Sequence, residues 1–419
     1  AMPQLQSLPE VLAELKPGMK VFVPGMSGES LALYAALKQQ PQTANGVRFL
    51  GVGFPGINRS DYLGLSPSAR QRAYFMGPGL RPGLADGRAE LVPLDYPGIY
   101  RELSAMDDID IAFAQVSPPD VQGLCSLGVS SDFQPAVWAK ARRRIAHVNP
   151  RMPHTRGVFQ IRYADLDAVF EADTELLIYD GGTPNEAMRE HAQRVASLVR
   201  DGDTLEFGVG KLQAGILSAL TSHRRLKVWS GMVSSPVLPL LDSGAIAGRD
   251  AIQLGVALGD TQLYERCAQD ESFYFRPVSD THDVRQIAAI ENFCAINSAV
   301  EVDLFGQVNA DSLNGKLLAG VGGLPAFAAG AMLSPGGRSI IALPAATDDG
   351  RFTRIVAHLG APGVNALPRS AADYVVTEHG IASLRGLSVH QRAQAMIEIA
   401  APAFRETLAA SWAEIAKRL

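Results

Sequence analysis

Glycine and lysine gathered where a strand hands over to a helix can hold an anion, and Phe207-Gly208-Val209-Gly210-Lys211 has that composition. Glycine lets the backbone come close to a ligand, and a helix start leaves N–H groups free to meet a negative charge. The run lacks the third glycine of a dinucleotide fingerprint and the Gly-Lys-Ser/Thr of a phosphate loop, so on its own it reads equally as a tight turn. A second run, Ala319-Gly320-Val321-Gly322-Gly323-Leu324-Pro325, has three glycines in four residues. Ordering such a segment is costly, which favours a working loop but names no reaction. Ser27, in Gly25-Met26-Ser27-Gly28, reads as a loop serine, because a nucleophile elbow needs its second glycine one residue later. None of the eight histidines pairs with another four residues away across an acid, and there is no Cys-x-x-Cys. No metal site is expected.

The elements that must position these loops are short apolar runs closed by glycine or proline. Val21-Phe22-Val23-Pro24-Gly25, Phe49-Leu50-Gly51, Ile111–Val116 and Ser339–Pro344 are of this kind. Such runs fit strands buried on both faces of a parallel sheet. Helical patterns lie between them over Ser30–Leu37, Glu186–Val199 and Val389–Ile399. Alternation of the two predicts an α/β protein with mostly parallel sheets. The unit Gly18…Gly25…Leu37 is echoed by Gly202…Gly208…Leu220, offset by about 183–184 residues. Two tandem domains of like build are expected, 1–184 and 185–419, meeting at the turn formers Asp180-Gly181-Gly182-Thr183-Pro184-Asn185. Chance is the competing explanation of the echo, since strand–glycine–helix is a common unit.

Composition narrows the partners. The 419 residues are 47% hydrophobic and 19% charged, with net charge −5. Such a chain folds rather than staying disordered. It has no basic excess for nucleic acid, and its apolar runs are too short for a membrane span. Three scattered cysteines suit a reducing, cytoplasmic setting.

Taken together the motifs make a pattern. Met76-Gly77-Pro78-Gly79-Leu80-Arg81, Gly123-Leu124-Cys125-Ser126-Leu127-Gly128-Val129-Ser130, Ile296-Asn297-Ser298-Ala299-Val300-Glu301-Val302-Asp303 and Val376-Thr377-Glu378-His379-Gly380 accompany the two glycine runs. The sequence resembles the acetyl-CoA hydrolase/transferase family, the class I CoA-transferases, over nearly its whole length. The resemblance implies two tandem CoA-transferase-type α/β domains, an acyl pocket on the N-terminal side and CoA on the C-terminal side. It further implies acyl-CoA and a carboxylate as substrates, no permanently bound cofactor, and a homo-oligomer. By the same resemblance, Gly208, Val209, Gly210, Lys211 and Leu212 contact CoA, with Gly320, Gly322 and Gly323 close by, where their N–H groups could steady an oxyanion. Loops Met26–Ser30, Phe54–Tyr62 and Phe75–Leu80 are expected to line the acyl pocket.

Family chemistry runs through a glutamate that attacks the thioester and carries CoA as a glutamyl thioester. That glutamate lies in a stretch like His-Thr-Glu-Met-Ile-Ser; here the matching stretch is Trp229-Ser230-Gly231-Met232-Val233-Ser234. Gly231 therefore occupies the nucleophile position, and the relay cannot run through it. A second departure is Glu206, where the family usually carries glutamine. Either Glu206 is a hydrogen-bonded replacement, or the catalytic carboxylate has moved there and activates water as a general base. Glu291 and Glu301 match ordinary family sequence and read as structural, while Glu29 is the fallback base. Three functions compete. One is thioester hydrolysis or CoA transfer without the glutamyl intermediate. Another is a different CoA-ester reaction such as C–C hydrolysis or decarboxylation. The third is CoA-ester binding without turnover.

Overall fold

The computed structural model describes residues 1–419, and the chain falls into two compact units. The first comprises 1–180, 231–235 and 249–281; the second comprises 181–230, 236–248 and 282–419.

The first unit is built on an eight-stranded, all-parallel sheet. Its order is Gln4–Leu5, Ala168–Glu171, Arg143–Val148, Ile111–Val116, Lys20–Phe22, Arg48–Leu50, Arg70–Ala73 and Ala89–Leu91. All six residues of Ile111–Val116 are buried, as its position at the middle of the sheet requires. Val21, Phe49, Ile111, Phe113, Ile145 and Phe170 pack against Leu33 and Leu37 of the helix Leu31–Gln39. Each such side chain contributes roughly 1.5–3 kcal/mol by leaving water. The helix begins where Ser30 Oγ accepts from the Leu33 N–H at 3.1 Å, a cap of about 1 kcal/mol. A parallel pair, Ile252–Leu258 with Phe273–Phe275, also belongs to this unit.

In the second unit, Thr204–Phe207 pairs with the start of the strand Lys227–Ser234 on one side and with Phe293–Ser298 on the other. Beyond lie Arg338–Ala342 and Tyr374–Thr377, all parallel, and then the antiparallel Gly380–Ser383. A buried ion pair braces this sheet: both Arg338 Nη atoms reach the Asp203 carboxylate, at 2.6 and 2.9 Å. Breaking a buried pair by removing one partner typically costs about 3–5 kcal/mol, because the other charge is then stranded. Val302, Leu304, Ile341, Val375, Met396 and Ile399 form the unit's core with the helix Val389–Ile399.

All three cysteines are buried free thiols. Burial pushes Cys125 up to about 11 and Cys294 up to about 12, and raises Cys267 further still. No helix is long and apolar enough to cross a membrane.

Candidate active site

Side chains alternate along a strand, so in Thr204-Leu205-Glu206-Phe207 the glutamate leaves the face opposite to Leu205 and Phe207. Glu206 is 4% exposed. Its Oε2 accepts from Asn297 Nδ2 on the neighbouring strand at 3.0 Å. Burial pushes its carboxyl up to about 8, while the hydrogen bonds from Asn297 and the Ile296 backbone pull it the other way. Desolvation prevails because no cation stands beside it.

The chain then bends through Gly208, Val209 and Gly210 into the helix Lys211–Ser218. Gly210 caps that helix at φ +119, a conformation side chains rarely adopt, with no side-chain hydrogen bond to the first turn. A β-carbon on Gly208 would meet nothing closer than Gln213 Nε2 at 3.9 Å, so the space over the bend is open. Lys211 is exposed and Leu212 half-buried.

The second glycine loop starts the helix Leu324–Leu333. Here Gly323 is required by contact: a β-carbon would lie 2.6 Å from His282 Nε2. His282 packs tilted against Phe327 with ring centroids 4.6 Å apart, and burial drives it down to about 3, so the imidazole is neutral. Gly320 is half-buried, while Gly322 is buried at φ +63.

Gly231 falls in the first unit; Glu206 and both glycine loops fall in the second. Gly231 is buried within Lys227–Ser234. Met232 packs on a cluster of Met26, Ile57, Leu177, Val256 and Leu258, with Phe54 against the same cluster. Phe54 in turn lines a cavity of about 330 Å³ to which the loops after three strands contribute. Glu29, Asn58, Tyr62, Phe75 and Met76 line it as well. Glu29 is 2% exposed and doubly held, accepting from Asn58 Nδ2 at 2.9 Å and from the Tyr62 hydroxyl at 2.9 Å. Asn58 Oδ1 accepts from the Met26 and Phe54 N–H groups, which ties the two loops together. The cavity therefore has aromatic walls and one organised polar cluster, the usual make-up of a small-molecule site.

One buried acid was not singled out from the sequence. Asp132 is 6% exposed and sits at φ +49. Ser130-Ser131-Asp132 looks like any polar loop in a sequence, and only a positive φ at a non-glycine residue marks it.

Residues 3–177 match the family model for the acetyl-CoA hydrolase/transferase N-terminal domain, and 259–412 match that for the C-terminal domain. The chain is 33% identical over 390 residues to the 4-hydroxybutyrate coenzyme A transferase of Clostridium kluyveri, covering 91% of this chain and 90% of that protein. It is 22% identical to an acetyl-CoA hydrolase of Neurospora crassa over 84% of this chain and 75% of that one. Among solved structures it superposes on RipA from Yersinia pestis with TM-score 0.90 at 27% identity, covering 98% and 97% of the two chains. It also resembles the alpha subunit of a malonate decarboxylase from Acinetobacter baumannii in fold, with TM-score 0.73 at 16% identity, covering 97% of this chain and 86% of that one.

Proposed function

Because this chain belongs to the acetyl-CoA hydrolase/transferase family, we propose that it opens the thioester of a small acyl-CoA by hydrolysis, without a glutamyl-CoA intermediate. Relatives named as CoA transferases and as acetyl-CoA hydrolases both use CoA thioesters, which supports the substrate class. The choice between transfer and hydrolysis rests on Gly231, which offers no carboxylate at the position where the family's glutamate is expected.

In this reading the bend Gly208–Gly210 and the first turn from Lys211 and Leu212 receive CoA, with Gly320, Gly322 and Gly323 forming the second loop around it. The N-terminal cavity, with Phe54 and Phe75 on its apolar side and Glu29, Asn58 and Tyr62 on its polar side, suits a small acyl group. The sequence alone left Glu206 either a hydrogen-bonded replacement for glutamine or the base. A carboxyl pushed up to about 8 is mostly protonated at neutral pH. We therefore assign Glu206 the complementary task, giving its proton to the CoA sulfur as the C–S bond breaks. A thiolate leaving from a dry site gains from such a donor, and a proton-transfer group is most effective with a pKa near the working pH.

A panel of acetyl-, butyryl-, 4-hydroxybutyryl- and succinyl-CoA, followed for free thiol with no added carboxylate, tests the reading. Thiol release in water is expected for at least one of them, with no CoA-dependent, borohydride-sensitive modification of any glutamate. Glu206→Gln should lower that rate by about 10²–10⁴-fold and leave CoA affinity intact. Thiol release that strictly requires a carboxylate acceptor, with a trapped glutamyl adduct, would sink it.

A further inference from the structure

We propose that the cavity of about 330 Å³ in the first unit selects acyl groups that carry a hydrogen-bond donor, a hydroxyl or an ammonium, and rejects those that end in a carboxylate. The proposal rests on the reading of that cavity as the acyl pocket and names the substrate class it admits.

Every proton of the polar cluster on the cavity wall already has a partner within the protein. Asn58 Nδ2 has two, which go to the Met26 carbonyl at 3.1 Å and to Glu29 Oε1 at 2.9 Å. Asn58 Oδ1 accepts from the Met26 and Phe54 N–H groups at 2.9 and 3.2 Å, so this amide is fully engaged. Tyr62 has one hydroxyl proton, and it goes to Glu29 Oε2 at 2.9 Å. Ser60 hydrogen-bonds to the same phenol. With the phenol's own proton directed at Glu29, Ser60 is the donor in that bond. Burial, and then the negative charge of Glu29, push the Tyr62 phenol well above its ordinary value, so it keeps its proton.

What the cluster has left is acceptor capacity. A carboxylate has about four lone-pair sites, and Glu29 receives one bond from Asn58 and one from Tyr62. Both partners are neutral, although Glu29 is only 2% exposed. Buried charges are ordinarily paired with a cation. The one cation on the lining, Arg59, is exposed, and so is Asp61 two residues on. The rim thus carries both signs, screened by water, while the charge held in the buried wall is that of Glu29. Gln71, also on the lining, offers donor and acceptor alike and favours neither class.

A donor on the ligand therefore finds an acceptor waiting in a dry wall. A carboxylate on the ligand finds a like charge and no free proton in the cluster, which is rejection by an unmatched group. The Phe54 and Phe75 rings, with centroids 4.1 Å apart, give the carbon chain its apolar surface. A hydrogen bond to a charged group is worth about 10–100-fold in binding.

Thiol release from butyryl-, 4-hydroxybutyryl-, 3-aminopropionyl- and succinyl-CoA tests the selection. kcat/KM for at least one of the two donor substrates should exceed that for butyryl-CoA by about 10–100-fold, and succinyl-CoA should fall below butyryl-CoA. A gain confined to one donor tells hydroxyl from ammonium. Donor substrates no better than butyryl-CoA, or succinyl-CoA turned over as well as butyryl-CoA, overturn the proposal and leave hydrolysis standing. This series needs no variant to fold. Glu29→Gln, which puts an uncharged amide with protons of its own in the wall, should cut the donor preference at least tenfold and raise succinyl-CoA relative to butyryl-CoA. Loss of a base would instead lower all four rates alike, so a uniform fall overturns the selective role of Glu29. Release of thiol from none of the four overturns the hydrolytic reading. The cavity is then probed without CoA, by saturation-transfer NMR with propanol, propylammonium and propionate. Transfer to a donor that disappears in Glu29→Gln, with none to propionate, sustains the selection. Propionate bound as well as the donors, or binding indifferent to Glu29, overturns it.

Discussion

A carboxyl group that is easier to bury protonated than charged leaves a mark on stability as well as on rate. Glu206 titrates near 4.3 in an unfolded chain and near 8 in the folded one. Between those values the folded chain holds a proton that the unfolded chain has released. The contribution is therefore fully present below about pH 4.3 and is lost as pH rises through about 8. Glu206→Gln removes the titration, so the variant should melt several degrees above wild type at pH 9 and close to it at pH 5, by calorimetry. An equal difference at both pH values would mean that Glu206 ionises as freely as a surface acid. Sequence alone could place Glu206 beside the glycine bend, because strand, bend and helix are consecutive. It could not give the raised pKa of that carboxyl, which depends on burial and on a hydrogen bond from Asn297, 91 residues away.

At the scale of elements, the two glycine loops differ in why they need glycine. Gly210 needs its φ of +119, and Gly323 needs room beside His282. Gly208 meets neither constraint. Its replacement by alanine should fold normally and place one methyl group over the open bend. Gly208→Ala is thus the clean probe of CoA contact at this loop, whereas a bulky residue at Gly210 would confound strain with binding. CoA affinity by titration calorimetry should fall at least tenfold, with the melting temperature held within a degree or two. Unchanged affinity would move CoA away from the bend. The strands flanking these loops were readable as apolar runs ending in glycine or proline, and Ile111–Val116 and the helix Val389–Ile399 have the bounds their patterns imply. The buried Asp203–Arg338 pair that braces the Glu206 strand was not readable, since nothing local distinguishes that arginine from a surface one.

For the whole molecule, alternating strand and helix patterns were enough to give an α/β protein with one all-parallel sheet and one mostly parallel sheet. What the linear pattern could not convey is that 231–235 and 249–281 are compact with the first unit, although they lie far along the chain from it. Strand pairing and burial decide that membership, and neither has a local signature in the residues concerned.

The buried cysteines have a practical corollary. A thiol reagent reacts with the thiolate, and burial keeps Cys125, Cys267 and Cys294 both protonated and out of contact with solvent. The native protein should therefore be colourless toward a disulfide dye at neutral pH, so that every equivalent developed in an acyl-CoA assay belongs to released CoA. In denaturant the same dye should count three equivalents per chain, one for each cysteine. A single reagent thus reports turnover while the fold is intact and its loss when it is not, and rapid colour from the native protein without substrate would show that one of the three is not shielded.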